Sequence, residues 1–179
     1  MKNQKIIISG PPGSGKTEII KKLDQKGFQC FFEVNPTNTS HMHDQVISDK
    51  IIRNHKQILS LHIFNTRKEQ YCSSIIKKGD FTFYDRSMID VVAYLDYWME
   101  EYPDSWDKTI EECRYANKVF YTPNWKEIYV KSPNRHETFT EAKLIDLVLR
   151  KTYLKFNYKL IEVPKLAVKE RVEFILNHI

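Results

Sequence analysis

The sequence predicts an α/β fold in which a parallel β-sheet is covered by α-helices on both faces, giving three layers. Two observations predict it. Short apolar runs alternate along the chain with longer segments whose apolar residues recur every three or four positions. A glycine-rich segment also joins the first apolar run to the first amphipathic segment. The chain has 179 residues, 41% hydrophobic and 28% charged, so residues 1–179 are expected to form a single globular domain.

The first half of the chain is predicted to contain two strands and two helical segments. Residues 5–9 are a short apolar run, and residues 15–26 have the spacing of an amphipathic helix that ends at Gly27. Residues 28–34 have the composition of a second strand, which the turn-forming pair Asn35-Pro36 closes. Residues 44–78 have helical periodicity, and at that length we expect a bent or divided helix.

The second half continues the alternation of strands and helices. Three strands are predicted, at residues 81–85, 119–122 and 160–163. Four helices are predicted, at residues 89–101, 106–115, 139–156 and 167–177. Because helices separate the strands throughout, the connections can be helical crossovers, which join parallel strands.

Residues 10–17, GPPGSGKT, fit the P-loop pattern G-x-x-x-x-G-K-[ST]. Glycines in this pattern let the backbone N–H groups turn around phosphate oxygens without a Cβ in the way. Lys16 would supply a positive charge, and Thr17 would offer its hydroxyl to Mg²⁺. The predicted nucleotide-binding residues are Gly10, Pro11, Pro12, Gly13, Ser14, Gly15, Lys16, Thr17 and Glu18.

Charged residues lie at the ends of two predicted strands, where ligands collect in a parallel sheet. Glu33 lies at the end of the second strand, and Asp85 and Arg86 at the end of the third. Asp85 could hold Mg²⁺, Arg86 could bind a phosphate or substrate oxygen, and Glu33 could be the base for an acceptor hydroxyl. Two plainer interpretations stay open, an ion pair at a helix start for Arg86 and a solvated surface acid for Glu33.

Charge and cysteine content narrow the class of ligand and the compartment. A net charge of +5 suits an anionic ligand, but no run of five or more Lys or Arg residues favours nucleic-acid binding. The three cysteines are far apart in sequence, which indicates a reducing environment and no structural zinc. The sequence has no apolar run of 18 residues and no room for a secretory signal before the first strand, so we expect a cytoplasmic protein outside the membrane.

Four segments of the sequence resemble one family of P-loop proteins. They are GPPGSGKT (10–17), YDRSMIDVVAY (84–94), VFYTPNWKEIYVKSPNRHETF (119–139) and YKLIEVPKLAVKERVEFIL (158–176). Together they resemble the AAA-type P-loop family that includes the ribosylnicotinamide kinase domain of a bifunctional NAD-biosynthesis regulator. More distantly, the chain is similar to the deoxynucleoside and thymidylate kinases.

The resemblance implies a kinase-like sheet of strand order 2-3-1-4-5 with a short lid between the fourth and fifth strands. The lid corresponds to residues 125–138, and Arg135 matches the arginine that closes over the β and γ phosphates and stabilises the transferring charge. Asn134 stands where the family pattern has an acidic residue. For Arg135, an exposed loop charge is the plainer alternative.

Two functions from different classes are consistent with these residues. The first is a kinase that transfers the γ-phosphate of ATP, bound with Mg²⁺, to a small-molecule acceptor with Lys16, Glu33, Asp85, Arg86 and Arg135 as its catalytic residues. The second is a regulatory nucleotide switch, in which the bound nucleotide orders a surface for a partner. The sequence lacks the Asn-Lys-x-Asp pattern expected of a GTPase, which favours ATP. It predicts neither the acceptor nor the oligomeric state.

Overall fold

A computed structural model describes residues 4–34, 56–74, 81–130 and 137–179. Within these residues, five strands form one parallel sheet of order β2-β3-β1-β4-β5, which confirms the predicted α/β fold and the strand order implied by the resemblance. The strands are β1 (Gln4–Ser9), β2 (Gln29–Phe31), β3 (Phe81–Asp85), β4 (Lys118–Tyr121) and β5 (Lys159–Glu162). The helices are α1 (Lys16–Asp24), α2 (Lys56–Ser73), α3 (Met88–Trp98), α4 (Ser105–Glu112), α5 (Phe139–Lys155) and α6 (Val168–Asn177), with a 3₁₀ turn at Lys126–Ile128.

Helices cover both faces of the sheet. Ile6 and Ile8 of β1 join a buried cluster with residues of α1 and α6. Ile7, which points to the opposite face, joins a second cluster with residues of α2, α3, α4 and α5. Each face of the central strand is therefore buried under helices, as a parallel sheet requires. None of the described helices has the length and apolar character needed to cross a membrane.

Several elements are shorter than predicted, and two of the differences have clear local causes. β2 does not fill residues 28–34 because it is an edge strand that pairs with β3 only from Gln29 to Phe31. α3 ends at Trp98 and not at residue 101 because Met99 has a left-handed φ of 58°. α1 and α4 end at residues 24 and 112, not at 26 and 115. The predicted helical residues 44–55 and 75–78 lie outside the described ranges.

Candidate functional site

The phosphate loop, residues 10–17, connects β1 to α1 and passes very close to the end of β4. Gly10 has a φ of 145°, and a Cβ on it would lie 2.2 Å from the backbone carbonyl oxygen of Thr122. Any side chain at Gly10 would therefore collide with the backbone after β4. Gly15, just before α1, has a left-handed φ of 83° that glycine adopts without strain. The two ends of the loop thus depend on glycine for different reasons.

Side-chain hydrogen bonds fix the shape of the phosphate loop. The Ser14 hydroxyl lies 2.9 Å from the Pro11 carbonyl oxygen, to which it donates, and 2.6 Å from the Thr122 hydroxyl. The Lys16 ammonium donates to the same Pro11 carbonyl at 2.8 Å. These contacts cross the loop and join it to β4, so the loop is pre-shaped by protein groups alone.

The Lys16 ammonium is a buried charge with weak compensation. The residue is only 4% exposed. Burial lowers the pKa of Lys16 to about 7, and the neighbouring Arg86 charge adds to this effect, although nearby carboxylates oppose it. An anion bound in the loop would raise this pKa again by supplying the missing negative charge. The environment of Lys16 is therefore suited to a polyphosphate.

Thr17 and Asp85 meet at the carboxyl edge of the sheet. The Thr17 hydroxyl donates to Asp85 Oδ2 at 3.1 Å, whereas Asp85 Oδ1 is buried and has no hydrogen-bond partner among the residues that the structure describes. Burial raises the pKa of Asp85, and the Glu33 charge raises it further. A cation would satisfy the orphaned oxygen, so this pair fits Mg²⁺. No cluster of three or more metal-binding side chains occurs in the described residues.

Glu33 and Arg86 form an ion pair beside the phosphate loop. Arg86 Nε lies 2.5 Å from Glu33 Oε1, and Arg86 Nη1 donates to the Gly10 carbonyl oxygen at 3.3 Å. Burial opposes the ionisation of Glu33, but the Arg86 charge outweighs it, with help from Lys16, and lowers the pKa of Glu33. The side chain of Glu33 remains 43% exposed while that of Arg86 is 7% exposed. The carboxylate is thus ionised, oriented and accessible.

Arg86 is positioned by an unusual backbone conformation and by an aromatic ring. Its φ is 72°, in the left-handed region that side chains other than glycine rarely adopt. The Arg86 guanidinium lies 5.6 Å from the ring centre of Tyr94, within the range of a cation–π interaction. Asp90 Oδ1 lies 3.8 Å from Arg86 Nη1. Arg86 therefore forms the ion pair at the start of α3 as well as the closer pair with Glu33, which is distant in sequence.

A buried carboxylate lies behind the loop, in a group that we call the Asp90 network (Asp90, Ser9, Ser87, Tyr153 and Arg67). Asp90 receives hydrogen bonds from the hydroxyls of Ser9 at 2.6 Å and Tyr153 at 2.5 Å. It also receives them from the amide of Ser87 at 2.7 Å and the Ser87 hydroxyl at 3.1 Å. Arg67 lies 3.9 Å away and donates to the Ser87 carbonyl oxygen. The network ties the ends of β1 and α5 to the start of α3.

The other predicted nucleotide-binding residues have varied surroundings. Glu18 is exposed and pairs with Lys21 at 2.8 Å, so only its backbone could serve a phosphate. Pro11 and Pro12 have no N–H group to donate, and the Pro11 carbonyl oxygen is already used by Ser14 and Lys16. Six residues of the predicted lid, 131–136, lie outside the described residues, Arg135 among them.

Two residues near the loop were missed by the sequence predictions. Asp90 has a visible signal, because Ser87-Met-Ile-Asp90 fits the capping box S-x-x-[DE], and the structure contains that box. Arg171 has a weaker signal in the sequence. It lies four positions before Ile175 and so shares the buried face of α6, and a charged residue is unusual on a buried helix face.

Comparisons with known proteins show the family of the chain. The sequence profile of the AAA domain family matches residues 5–171, so the chain belongs to that family. No curated protein matches the chain.

Solved kinase structures share the fold. A deoxyadenosine kinase from M. mycoides with bound dATP superposes with a TM-score of 0.67 and 14% identity, over 97% of this chain and 98% of that chain. The thymidylate kinase of Candida albicans superposes with a TM-score of 0.60 and 14% identity, over 99% of this chain and 91% of that chain. The thymidylate kinase of Ehrlichia chaffeensis superposes with a TM-score of 0.61 and 12% identity, over 99% of each chain. At these identities the similarity shows the fold alone.

Proposed function

We propose that this member of the AAA domain family is a kinase that transfers the γ-phosphate of ATP to the hydroxyl of a nucleoside-like or vitamin-like acceptor. The observation that carries the proposal is the Glu33–Arg86 pair. It places an ionised, accessible carboxylate at the strand edge beside a phosphate loop, where an acceptor hydroxyl would need a base. A protein that only binds nucleotide has no need for such a carboxylate.

The loop side of the site would bind and orient the nucleotide. The Lys16 ammonium would move from the Pro11 carbonyl oxygen to the phosphates and compensate their charge. Thr17 and Asp85 would hold Mg²⁺, one through its hydroxyl and the other through the oxygen that lacks a partner. Magnesium, when bound, would neutralise charge on the β and γ phosphates.

Glu33 would orient the acceptor hydroxyl and take its proton. In the reaction the hydroxyl oxygen forms a bond to the γ-phosphorus, the bond from the β,γ-bridging oxygen to that phosphorus breaks, and ADP leaves. The proton passes to Glu33. Its lowered pKa makes Glu33 a weak base, which suffices because the transition state is loose and the proton is lost late. Arg86 would keep the carboxylate ionised and aimed.

The charge at Glu33 also bears on the class of acceptor. A phosphate acceptor would lie against the like charge of Glu33, which already engages Nε of Arg86, while Nη1 of Arg86 donates to Gly10. An uncharged hydroxyl avoids this repulsion. Nucleosides and ribosylnicotinamide-like compounds are therefore preferred to nucleoside monophosphates. The resemblance to the ribosylnicotinamide kinase domain supports the same choice.

Transfer of labelled phosphate from ATP to a panel of nucleosides and vitamins tests the proposal. With the best acceptor, Glu33→Gln should lower the transfer rate about 10²-fold, the low end of the contribution of a general base, because a weak base takes the proton late, and it should leave the Kd for ATP within about twofold. Glu112→Gln is the matched control, since Glu112 is an exposed acid on α4 that pairs with Lys108. An undiminished rate in Glu33→Gln would rule out the base. No transfer by the wild type to any acceptor would instead favour a regulatory nucleotide switch.

A further inference from the structure

Arg171 is a buried arginine that packs against the outside of the phosphate loop. It lies on α6, is 2% exposed, and shares its buried face with Val172 and Ile175. Arg171 Nη2 donates to the Ser14 carbonyl oxygen at 2.9 Å. A Cβ on Gly15 would lie 2.7 Å from Arg171 Nη1, so the guanidinium occupies space that a side chain at this position would need.

The charge of Arg171 lacks a carboxylate partner among the described residues. Its Nε is buried without a hydrogen bond, and its guanidinium carbon lies 5.7 Å from the ring centre of Trp125. Burial alone lowers the pKa of Arg171, to about 10. The buried arginines Arg67 and Arg86, by contrast, lie within 4 Å of carboxylates. An unpaired buried cation costs stability, which points to an anionic ligand as its counterpart.

The geometry of one peptide bond connects Arg171 to the phosphates. The carbonyl of Ser14 and the N–H of Gly15 belong to the same planar trans peptide, so they point in opposite directions. Arg171 holds the carbonyl on the outside of the loop. The Gly15 N–H is thereby held toward the inside, where a P-loop receives phosphate oxygens. A cationic donor on the carbonyl also polarises the peptide and strengthens its N–H as a donor.

We propose that Arg171 is a positioning residue for the phosphate loop, which orients the Ser14–Gly15 peptide and whose charge is balanced by the bound phosphates. The inference rests on the proposed nucleotide binding but does not depend on the acceptor. It assigns to α6, which contributes no residue to the P-loop pattern, a part in phosphate affinity. It also predicts that the effect of Arg171 follows the polyphosphate and is independent of the base.

Calorimetry with ADP and with inorganic triphosphate tests this role. Arg171→Met should weaken the binding of both ligands about 10- to 100-fold, the effect expected for a charge-assisted hydrogen bond. The same variant without ligand should unfold at the wild-type temperature or higher, because methionine removes an unpaired buried charge. Arg171→Lys, which keeps a cationic donor, should recover part of the affinity.

Arg114→Met is the matched control. Arg114 Nη1 also donates to a backbone carbonyl oxygen, that of Phe156, at 2.7 Å, and its guanidinium also lies against a ring, that of Tyr158. Arg114 precedes β4, at the amino edge of the sheet, so its loss should leave the affinity for ADP unchanged.

Each other outcome contradicts the inference in a distinguishable way. If the wild type binds neither ligand, the proposed function and the inference both fail. If the wild type binds and Arg171→Met binds equally well, only the inference fails. A loss with ADP but not with triphosphate would assign Arg171 to the nucleoside. A lysine variant no better than methionine would show that the cation has no effect, and failure of Arg171→Met to fold would make Arg171 a structural residue.

Discussion

Two carboxylates at the carboxyl edge of the sheet, Asp85 at the end of β3 and Asp90 in the first turn of α3, are almost equally buried, at 3% and 1% exposed. Asp90 accepts hydrogen bonds from Ser9, Ser87 and Tyr153, and both of its oxygens are used. Within the described part of the chain, Asp85 accepts one hydrogen bond, from Thr17, and its other oxygen has no partner.

This difference in hydrogen bonding distinguishes a carboxylate that stabilises the fold from one that is available to bind a ligand. A buried carboxylate saturated with donors has its desolvation cost offset by the protein, so it holds elements together. A buried carboxylate with an orphaned oxygen leaves that cost unmet until a ligand supplies a partner. Lys16 and Arg171 resemble Asp85 in this respect, because they are buried charges that the protein compensates only weakly. Their charges are opposite in sign to the phosphates that the loop would bind.

Removal of the loop's cation should give the largest effect. Lys16→Ala should abolish measurable ATP affinity, a loss on the order of 5 kcal/mol or about 10³-fold or more, because the buried phosphates lose their charge partner. Calorimetry measures the affinity, and circular dichroism should show an intact fold. Lys21→Ala is the control, since Lys21 is exposed and pairs with Glu18 on the surface of α1. Unchanged ATP binding in Lys16→Ala would mean that its buried charge does not serve phosphates.

Isosteric removal of each carboxylate compares the two regions directly. Asp90→Asn should lower the free energy of unfolding by about 3 to 5 kcal/mol, because it breaks a buried charged network. Asp85→Asn should change it by less than about 1 kcal/mol, since few donors lose a partner, yet it should lose Mg²⁺-dependent turnover. Urea denaturation and phosphoryl-transfer assays measure the two quantities. Equal destabilisation by both substitutions would contradict the distinction, and full turnover in Asp85→Asn would make Asp85 a plain strand-end acid.

A single donor removed from the Asp90 network should give the smallest effect. Tyr153→Phe should cost about 1 to 2 kcal/mol of unfolding free energy, because a buried carboxylate loses one of several hydrogen bonds. Tyr102→Phe removes two hydrogen bonds nearer the surface, one donated to Asp107 and one accepted from Lys155, and should cost less than about 0.5 kcal/mol. Thermal denaturation can rank the two variants. An unchanged stability of Tyr153→Phe would show that the hydrogen bond from Tyr153 to Asp90 does not stabilise the fold.

The fold could be predicted because local signals and the family resemblance agree. The apolar run at β3 and the glycine-rich loop after β1 were legible in the sequence, and the predicted third strand, residues 81–85, matches β3 at both ends. The length of β2 could not be predicted from the sequence. Residues 28–34 have strand composition throughout, but in the described sheet β2 pairs with β3 alone, and this pairing covers three residues.

The residues of the candidate site could be predicted where a local sequence pattern identifies them. They could not be predicted where the site depends on contacts between segments that are distant in sequence. Thr17 and Asp85 could be proposed from the P-loop pattern and a strand end, and the structure brings their side chains together. The contact of Arg171 with Ser14 depends on how α6 packs beside α1, which no local pattern encodes. The orphaned oxygen of Asp85 likewise exists only once the surrounding chain has excluded water.

The hydrogen bond between Ser14 and Arg171 joins positions 157 residues apart. A ribosome therefore makes the phosphate loop long before it makes Arg171. β1 likewise pairs with β3 and β4, which are both made after it. Nascent chains form such long-range contacts late, after the intervening segments have emerged. During synthesis, the phosphate loop can reach its final geometry only after α6 has been made, so a chain that stops before α6 should not compete for nucleotide.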